Sequence, residues 1–228
     1  MSCIIHTPTN KLENSISFYE KLGYKKVDHN SLTLYTDGKL LIQINPDRKA
    51  RAGVRMYKAD WSAEVEQLKQ YTTVHEKDGI YILADPSNAW IYLETGEMPV
   101  AFTPAEQSFS SFGNSMGMTL ETADFARSAA IYEILGFAKI MGTIEGGWVL
   151  YNKDGFGLSL MAPFMCPHLV FNPSITFFNG GQNLPVIEKI REAGIPIAEE
   201  ITHFNKEGIV DNVIIRDPGG YGFFVFND

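Results

Sequence analysis

In the segment Lys11–Gly23, Leu12, Ile16, Tyr19 and Leu22 return every three or four residues, the spacing of one face of a helix. Gly23 closes that run in the manner of a C′ glycine. The flanking pattern is different in kind, being short apolar runs with turn residues between them. These are CIIHT (3–7), then 25–29, 31–36 and 39–45, with the turn pair Asp37-Gly38 separating the last two; they predict strands. The order β, α, β, β, β then restarts. A strand is expected at 54–58, a helix at 63–70 around Val65 and Leu68, and strands near 72–75, 80–84 and 89–94. A third module runs from a strand at 115–121 through a helix at 125–135 to a strand at 157–161. The fourth has a strand at 174–178, a helix at 185–192 and a final strand at 221–226.

The chain is also similar to itself. Lys11–Val27 aligns without a gap on Asp124–Ile140, with Ser15/Ser128, Tyr19/Tyr132, Glu20/Glu133, Leu22/Leu135, Gly23/Gly136 and Lys26/Lys139 coinciding. A second echo sets ADPSNAWIYLE (84–94) against RDPGGYGFFVF (216–226). Self-similarity at a fixed offset signals duplication. The expected division is a first half at 1–98, a linker at 99–111 and a second half at 112–228. The linker is rich in Pro, Ser and Thr and lacks any sustained period.

Four βαβββ modules, a helix carrying S-x-x-x-Y-x-x-LG in each half (Ser15 to Gly23, Ser128 to Gly136) and a late Asp-Pro turn before the final strand resemble the vicinal oxygen chelate superfamily. That superfamily includes glyoxalase I, the bleomycin-resistance proteins and extradiol dioxygenases. The resemblance implies an α+β fold in which pairs of modules build two strongly curved mixed sheets. Each closes into a cup whose concave face holds the ligand and, in the enzymes, a divalent metal. It leaves open whether consecutive modules share a cup or the first pairs with the fourth.

Carried across by the helix register and the Asp-Pro turn, the family's ligand positions fall on Ile4, near Val54–Arg55, on Gly117 and Ser174, and on Tyr92 and Phe224. A metal-using relative would carry His or Glu at such places, because a catalytic metal needs about three protein ligands and an open position. No metal or other cofactor is therefore expected. The alternative is a divalent metal held by His6, Gln43 and Glu94, displaced from the family positions.

Successive strand residues face opposite sides of a sheet. If Ile42, Ile44, Val54, Met56, Ile91 and Leu93 pack under the helices, the first cup is lined by His6, Gln43, Arg55, Tyr57, Trp90, Tyr92 and Glu94, the expected ligand-binding residues. Arg55 would either bind an anion or pair with Glu94, and the aromatic rings would either stack on a flat ligand or simply fill the core. The second cup, with Ser159, Met161, Ser174, Thr176, Phe178 and Phe224 inside, reads as drier and without an acid or base. His29, His75, His168 and His203 read as solvent-facing, and Cys166-Pro167-His168 offers only one ligand pair.

Composition narrows the function further. With 19 Lys and Arg against 27 Asp and Glu, the net charge is −8, which lacks the basic footprint of a nucleic-acid or anionic-membrane binder. Apolar runs such as Leu40–Ile44 are too short to cross a bilayer. Two cysteines and no basic-then-apolar leader point to the cytoplasm. The expectation is a small-molecule-binding protein, monomeric or homodimeric, without nucleic-acid or membrane partners. The alternatives are a metal-dependent lyase or dioxygenase of the glyoxalase I or extradiol type, and a structural module that has lost its pocket.

Overall fold

The structure, a computed structural model, describes residues 2–227. Its first half contains β1 (Cys3–Pro8), α1 (Leu12–Lys21), β2 (Lys25–Val27), β3 (Thr33–Thr36), β4 (Leu41–Asn45), β5 (Gly53–Lys58), α2 (Ser62–Leu68), β6 (His75–Lys77), β7 (Ile80–Ala84) and β8 (Trp90–Thr95). The second contains β9 (Asn114–Glu121), α3 (Phe125–Ile134), β10 (Ala138–Thr143), β11 (Trp148–Lys153), β12 (Phe156–Met161), β13 (Ser174–Phe178), α4 (Asn183–Glu192), β14 (Ile197–Ile201), β15 (Asn212–Arg216) and β16 (Gly222–Phe226). These are the four βαβββ modules. Among the described residues, no helix is long and apolar enough to cross a membrane.

Consecutive modules share a sheet. The orders are β2-β3-β4-β1-β5-β8-β7-β6 and β10-β11-β12-β9-β13-β16-β15-β14, so each eight-stranded sheet is joined at its middle by the first strands of its two modules. β1 and β5 run antiparallel there, as do β9 and β13. One expected strand moves. Residues 72–74 turn off the end of α2, with Thr72 N–H donating to Leu68 O and the Thr72 hydroxyl to Ala84 O, and the edge strand forms three residues later on His75–Lys77. That strand is charged and exposed, which discourages pairing with another chain.

The repeated helix motif has a physical reading at nearly every position. Ser15 bonds Thr9 and Ser128 bonds Thr122, tying each helix to the strand end before it. Glu20 accepts from the Tyr35 hydroxyl and Glu133 from Tyr151, which fastens the helix to the sheet beneath. Gly23 and Gly136 take φ of +81° and +86°, the left-handed cap that L-residues with a Cβ resist.

Tyr19 reaches across to the other half. Asp217, in the second Asp-Pro turn and buried, accepts hydrogen bonds from the Tyr19 hydroxyl at 2.9 Å and the Thr7 hydroxyl at 2.7 Å. The first-half counterpart Asp85 lies against the second half, accepting from Ser128 at 3.4 Å, with the Tyr132 hydroxyl beside it but outside ordinary hydrogen-bond geometry. Each Asp-Pro turn is thus inserted into the opposite half. Gly219 permits the closer approach, since a Cβ there would lie 1.9 Å from Pro8 O.

Between the halves the helix-side faces merge into one apolar core. Phe112 is fully buried in it, with its ring centroid 5.1 Å from those of Phe177 and Phe223 and 6.5 Å from that of Phe18. Segment 99–111 is held to the first half by backbone bonds from Ala105 to Gly38, Phe109 to Asp37 and Ser111 to Leu22. Because the core is continuous, the halves are expected to unfold together. Phe112→Ala should cost about 3–5 kcal/mol and leave a single urea transition, followed by far- and near-UV circular dichroism. Two separated transitions would mean that the halves are independent.

Candidate functional site

The alternation of side chains divides the first sheet as the sequence pattern predicts. Cys3, Ile5, Ile42, Ile44, Val54, Met56, Ile91 and Leu93 join the shared core, whereas Ile4, Leu34, Leu41 and Tyr57 form a separate cluster on the concave face. Register then brings the polar residues of that face together. His6 lies beside Gln43, Arg55 beside Tyr92, and Tyr57 beside Glu94.

These residues do two different jobs. The His6 ring is fully buried and bonded at both nitrogens, Nδ1–H donating to Arg51 O at 2.8 Å and Nε2 accepting from the Asn45 amide at 2.9 Å. Burial, reinforced by the neighbouring Arg55 charge, lowers its pKa to about 3, so the ring is neutral and its tautomer is set by its partners. Tyr92 packs edge-on against His6 at 4.8 Å, accepts from Arg51 N–H at 3.0 Å and donates to Arg51 O at 3.3 Å. The two rings therefore clamp the loop that delivers β5.

Gln43, Arg55, Tyr57 and Glu94 instead line a cavity of about 540 Å³, closed by residues of 31–33 and 44–47. Arg55 Nη1 pairs with Glu94 Oε1, and the guanidinium lies 4.7 Å from the centre of the Tyr92 ring. The Tyr57 hydroxyl donates to the same carboxylate oxygen at 3.3 Å, and burial followed by the Glu94 charge raises its pKa. Gln43 Oε1 and Arg55 Nε are buried without a hydrogen-bond partner. Trp90, at the start of β8, does not line this cavity.

The apolar part of the cup is filled by the chain itself. Met98, Val100 and Phe102 pack onto Ile4, Leu34, Leu41 and Tyr57. Nothing in the period or composition of the connecting segment marked it as a filling, so this feature was not legible from sequence.

The alternative metal set is tied up in these contacts. Both His6 nitrogens are bonded and Glu94 is paired with Arg55, which leaves Gln43 as its one uncommitted donor. Among the described residues, no group of three or more His, Cys, Asp or Glu is placed to hold a metal ion. The donors present do not fit a divalent metal in the first cup.

The second cup is open where the first is filled. A cavity of about 510 Å³ lies over β9, β11 and β12, walled by Met116, Met141, Trp148, Leu150, Met161 and Phe224. Trp148 and Leu150 come from β11, a strand that the sequence reading did not place. His168 is not the solvent-facing residue expected of it. It is half-buried at the rim, its ring 4.9 Å from His203 and 5.1 Å from Phe204, with Nδ1 buried and unpartnered. Burial first, and then His203, lower its pKa.

No family model matches the sequence, and no curated protein matches it. Solved structures do. The 2,3-dioxygenase LapB from Pseudomonas has a TM-score of 0.58 at 14% identity, covering 99% of this chain and 91% of its own. A Mn(II)-bound glyoxalase from Novosphingobium aromaticivorans gives 0.57 at 11%, covering 99% and 81%. A catechol 2,3-dioxygenase gives 0.54 at 14%, covering 99% and 86%. The chain has the fold of the vicinal oxygen chelate superfamily, with two modules per sheet and two cups.

The geometry around His6 yields a pH prediction. Its folded pKa, about 3, lies below the ordinary 6.5, so between those values the folded protein binds fewer protons than the unfolded chain. The stability that His6 contributes is present above about pH 6.5 and is lost as pH falls towards 3, by up to about 1.4 kcal/mol per pH unit. Urea unfolding of the parent and of His6→Gln from pH 7 to pH 4 should show a shallower decline in the variant, by close to one proton. Parallel curves would contradict it.

Proposed function

We propose that this protein binds a small polar organic molecule in the first cup, without the metal that the fold's enzymes use. The observation that carries this reading is a cavity of about 540 Å³ lined by two residues, Gln43 and Arg55, each of which holds a buried polar atom without a partner, Oε1 and Nε respectively. Leaving a buried polar group unsatisfied costs about 1–3 kcal/mol, so a ligand offering one donor and one acceptor recovers that cost. Arg55 and Glu94 cancel each other, and the remaining charged group of the lining, Asp47, is exposed to solvent; this disfavours an anion and favours an uncharged ligand, such as a hydroxy-carbonyl compound or a hydroxy-amide. A few oriented polar groups in a cavity of this size are what small-molecule sites use.

Binding is favoured over catalysis because the one histidine of the set is held neutral and bonded at both ends, and the one carboxylate is paired. Neither is free to carry a proton to or from a substrate. The reading of a metal-dependent lyase or dioxygenase finds support in the fold and none in this donor set.

A thermal-shift and calorimetric panel of neutral hydroxy-carbonyl compounds tests the proposal. Gln43→Leu and Arg55→Lys are each expected to weaken a hit by about five- to tenfold, roughly 1–1.4 kcal/mol, while His6→Gln leaves it within twofold. Chelator should change neither binding nor melting temperature. A melting temperature that falls by several degrees in chelator and recovers with one divalent ion would overturn the metal-free reading.

A further inference from the structure

The second cup differs from the first in every property that selects a ligand. Its floor is polar only in groups that satisfy one another: the Thr119 and Thr176 hydroxyls bond at 2.7 Å, Trp148 Nε1–H donates to Ser159 Oγ at 2.6 Å, and Ser174 Oγ–H donates to Thr119 O at 3.1 Å. At the places where the resemblance set metal ligands stand Gly117, Ser174 and Phe224, none of which is a metal donor of the expected kind. Phe224 is 1% exposed and packs with Ile201 and Ile214. The donor set does not fit a metal here either.

What remains is a cavity of about 510 Å³ with almost wholly apolar walls. Four methionine side chains reach it, at positions 116, 141, 161 and 165, while Met118 borders it but packs into the shared core. Their unbranched thioethers adapt to irregular shapes and make favourable contacts with aromatic rings. Met116, Met141 and Met165 are 39%, 58% and 51% exposed, an apolar surface left open among the described residues. Among the described residues that line it, the buried side-chain nitrogen or oxygen without a partner is His168 Nδ1, on a residue at the rim. A dry, adaptable wall excludes a charged guest, since an unpaired ion in such surroundings is far more costly than in water.

We propose that the second cup is a separate binding site for a neutral, largely apolar ring compound carrying a single hydroxyl or carbonyl group, which meets His168 at the rim. The ring lies among the methionines, Leu150 and Phe224. The oxygen needs only one hydrogen bond because the floor asks for none. This site goes beyond the function proposed above: it is in the other half, selects by apolar contact rather than by paired polar groups, and stands whether or not the first cup binds anything.

The neutral fluorophore N-phenyl-1-naphthylamine tests it on the intact chain. Saturable binding of one molecule per chain at micromolar concentration is expected. Leu150→Glu, which puts a charge in the cavity, and Met161→Trp, which fills it, should each weaken binding at least tenfold, and melting curves report whether each variant is folded. If Leu150→Glu does not fold, Met161→Trp decides alone. Gln43→Leu should leave binding within twofold. Absent or non-saturable binding, or folded second-cup variants that bind normally, overturns the proposal. Loss of binding only in Gln43→Leu would place the probe in the first cup and overturn this site while leaving the first-cup reading intact. In competition, 2-naphthol should displace the probe at least threefold better than 2-methylnaphthalene, and His168→Phe should remove that preference. Equal displacement by the two compounds overturns the role of His168.

Discussion

Everything in this molecule depends on burying the helix-side face of each sheet against the other half. Either half alone would present a broad apolar surface around Phe18, Phe112, Phe177 and Phe223. Docking removes that surface from water, at roughly 25 cal/mol per Å² of apolar area. Apolar contact alone does not fix how two such faces meet. Asp217 supplies orientation, because a buried carboxylate is tolerated only where donors meet it, and Thr7 and Tyr19 present theirs in one arrangement of the halves. The Asp85 turn repeats the device from the other side with looser geometry.

With the convex faces spent on each other, the concave faces are left to be filled by the chain or by a guest, and the two halves solve this differently. The first draws the segment after β8 across its apolar residues and keeps a polar cavity at one end. The second closes part of its cup with Val170 and Phe171 against Phe224 and leaves the methionine-rich remainder open. A duplicated fold thus carries two interiors of opposite character, one built on the Arg55–Glu94 pair and one on adaptable hydrocarbon and sulfur.

The parts that were legible in the sequence are those governed by local periodicity. Helix spacing at Leu12, Ile16, Tyr19 and Leu22, strand alternation at 41–45 and 90–95, and the repeat itself lead to the modules and to which residues face the cup. Of the seven residues placed in the first cup, the structure brings Gln43, Arg55, Tyr57 and Glu94 to one cavity. It sets His6 and Tyr92 on the Arg51 backbone and Trp90 apart. That split depends on the path of the loop between β4 and β5, which no period encodes. The pairing of consecutive modules, the reach of Asp217 into the other half and the filling by Met98, Val100 and Phe102 are long-range contacts. The rim histidine, His168, joins His203 from a distant turn. Sequence spacing carries no information about such meetings until the topology is known.

The central claim is that the two cups are chemically distinct sites, one read by oriented polar atoms and one by apolar contact. Methionine-methyl and arginine Nε–Hε resonances observed on the same sample report on both. Adding a neutral naphthalene derivative should move the methyl signals of Met116, Met141 and Met161, and leave those of Met56 and Met118, in the shared core, and of Met98, in the filling of the first cup, together with the Arg55 Nε–Hε signal, where they were. Simultaneous shifts of Arg55 and Met98 with the second-cup methionines unmoved would contradict it.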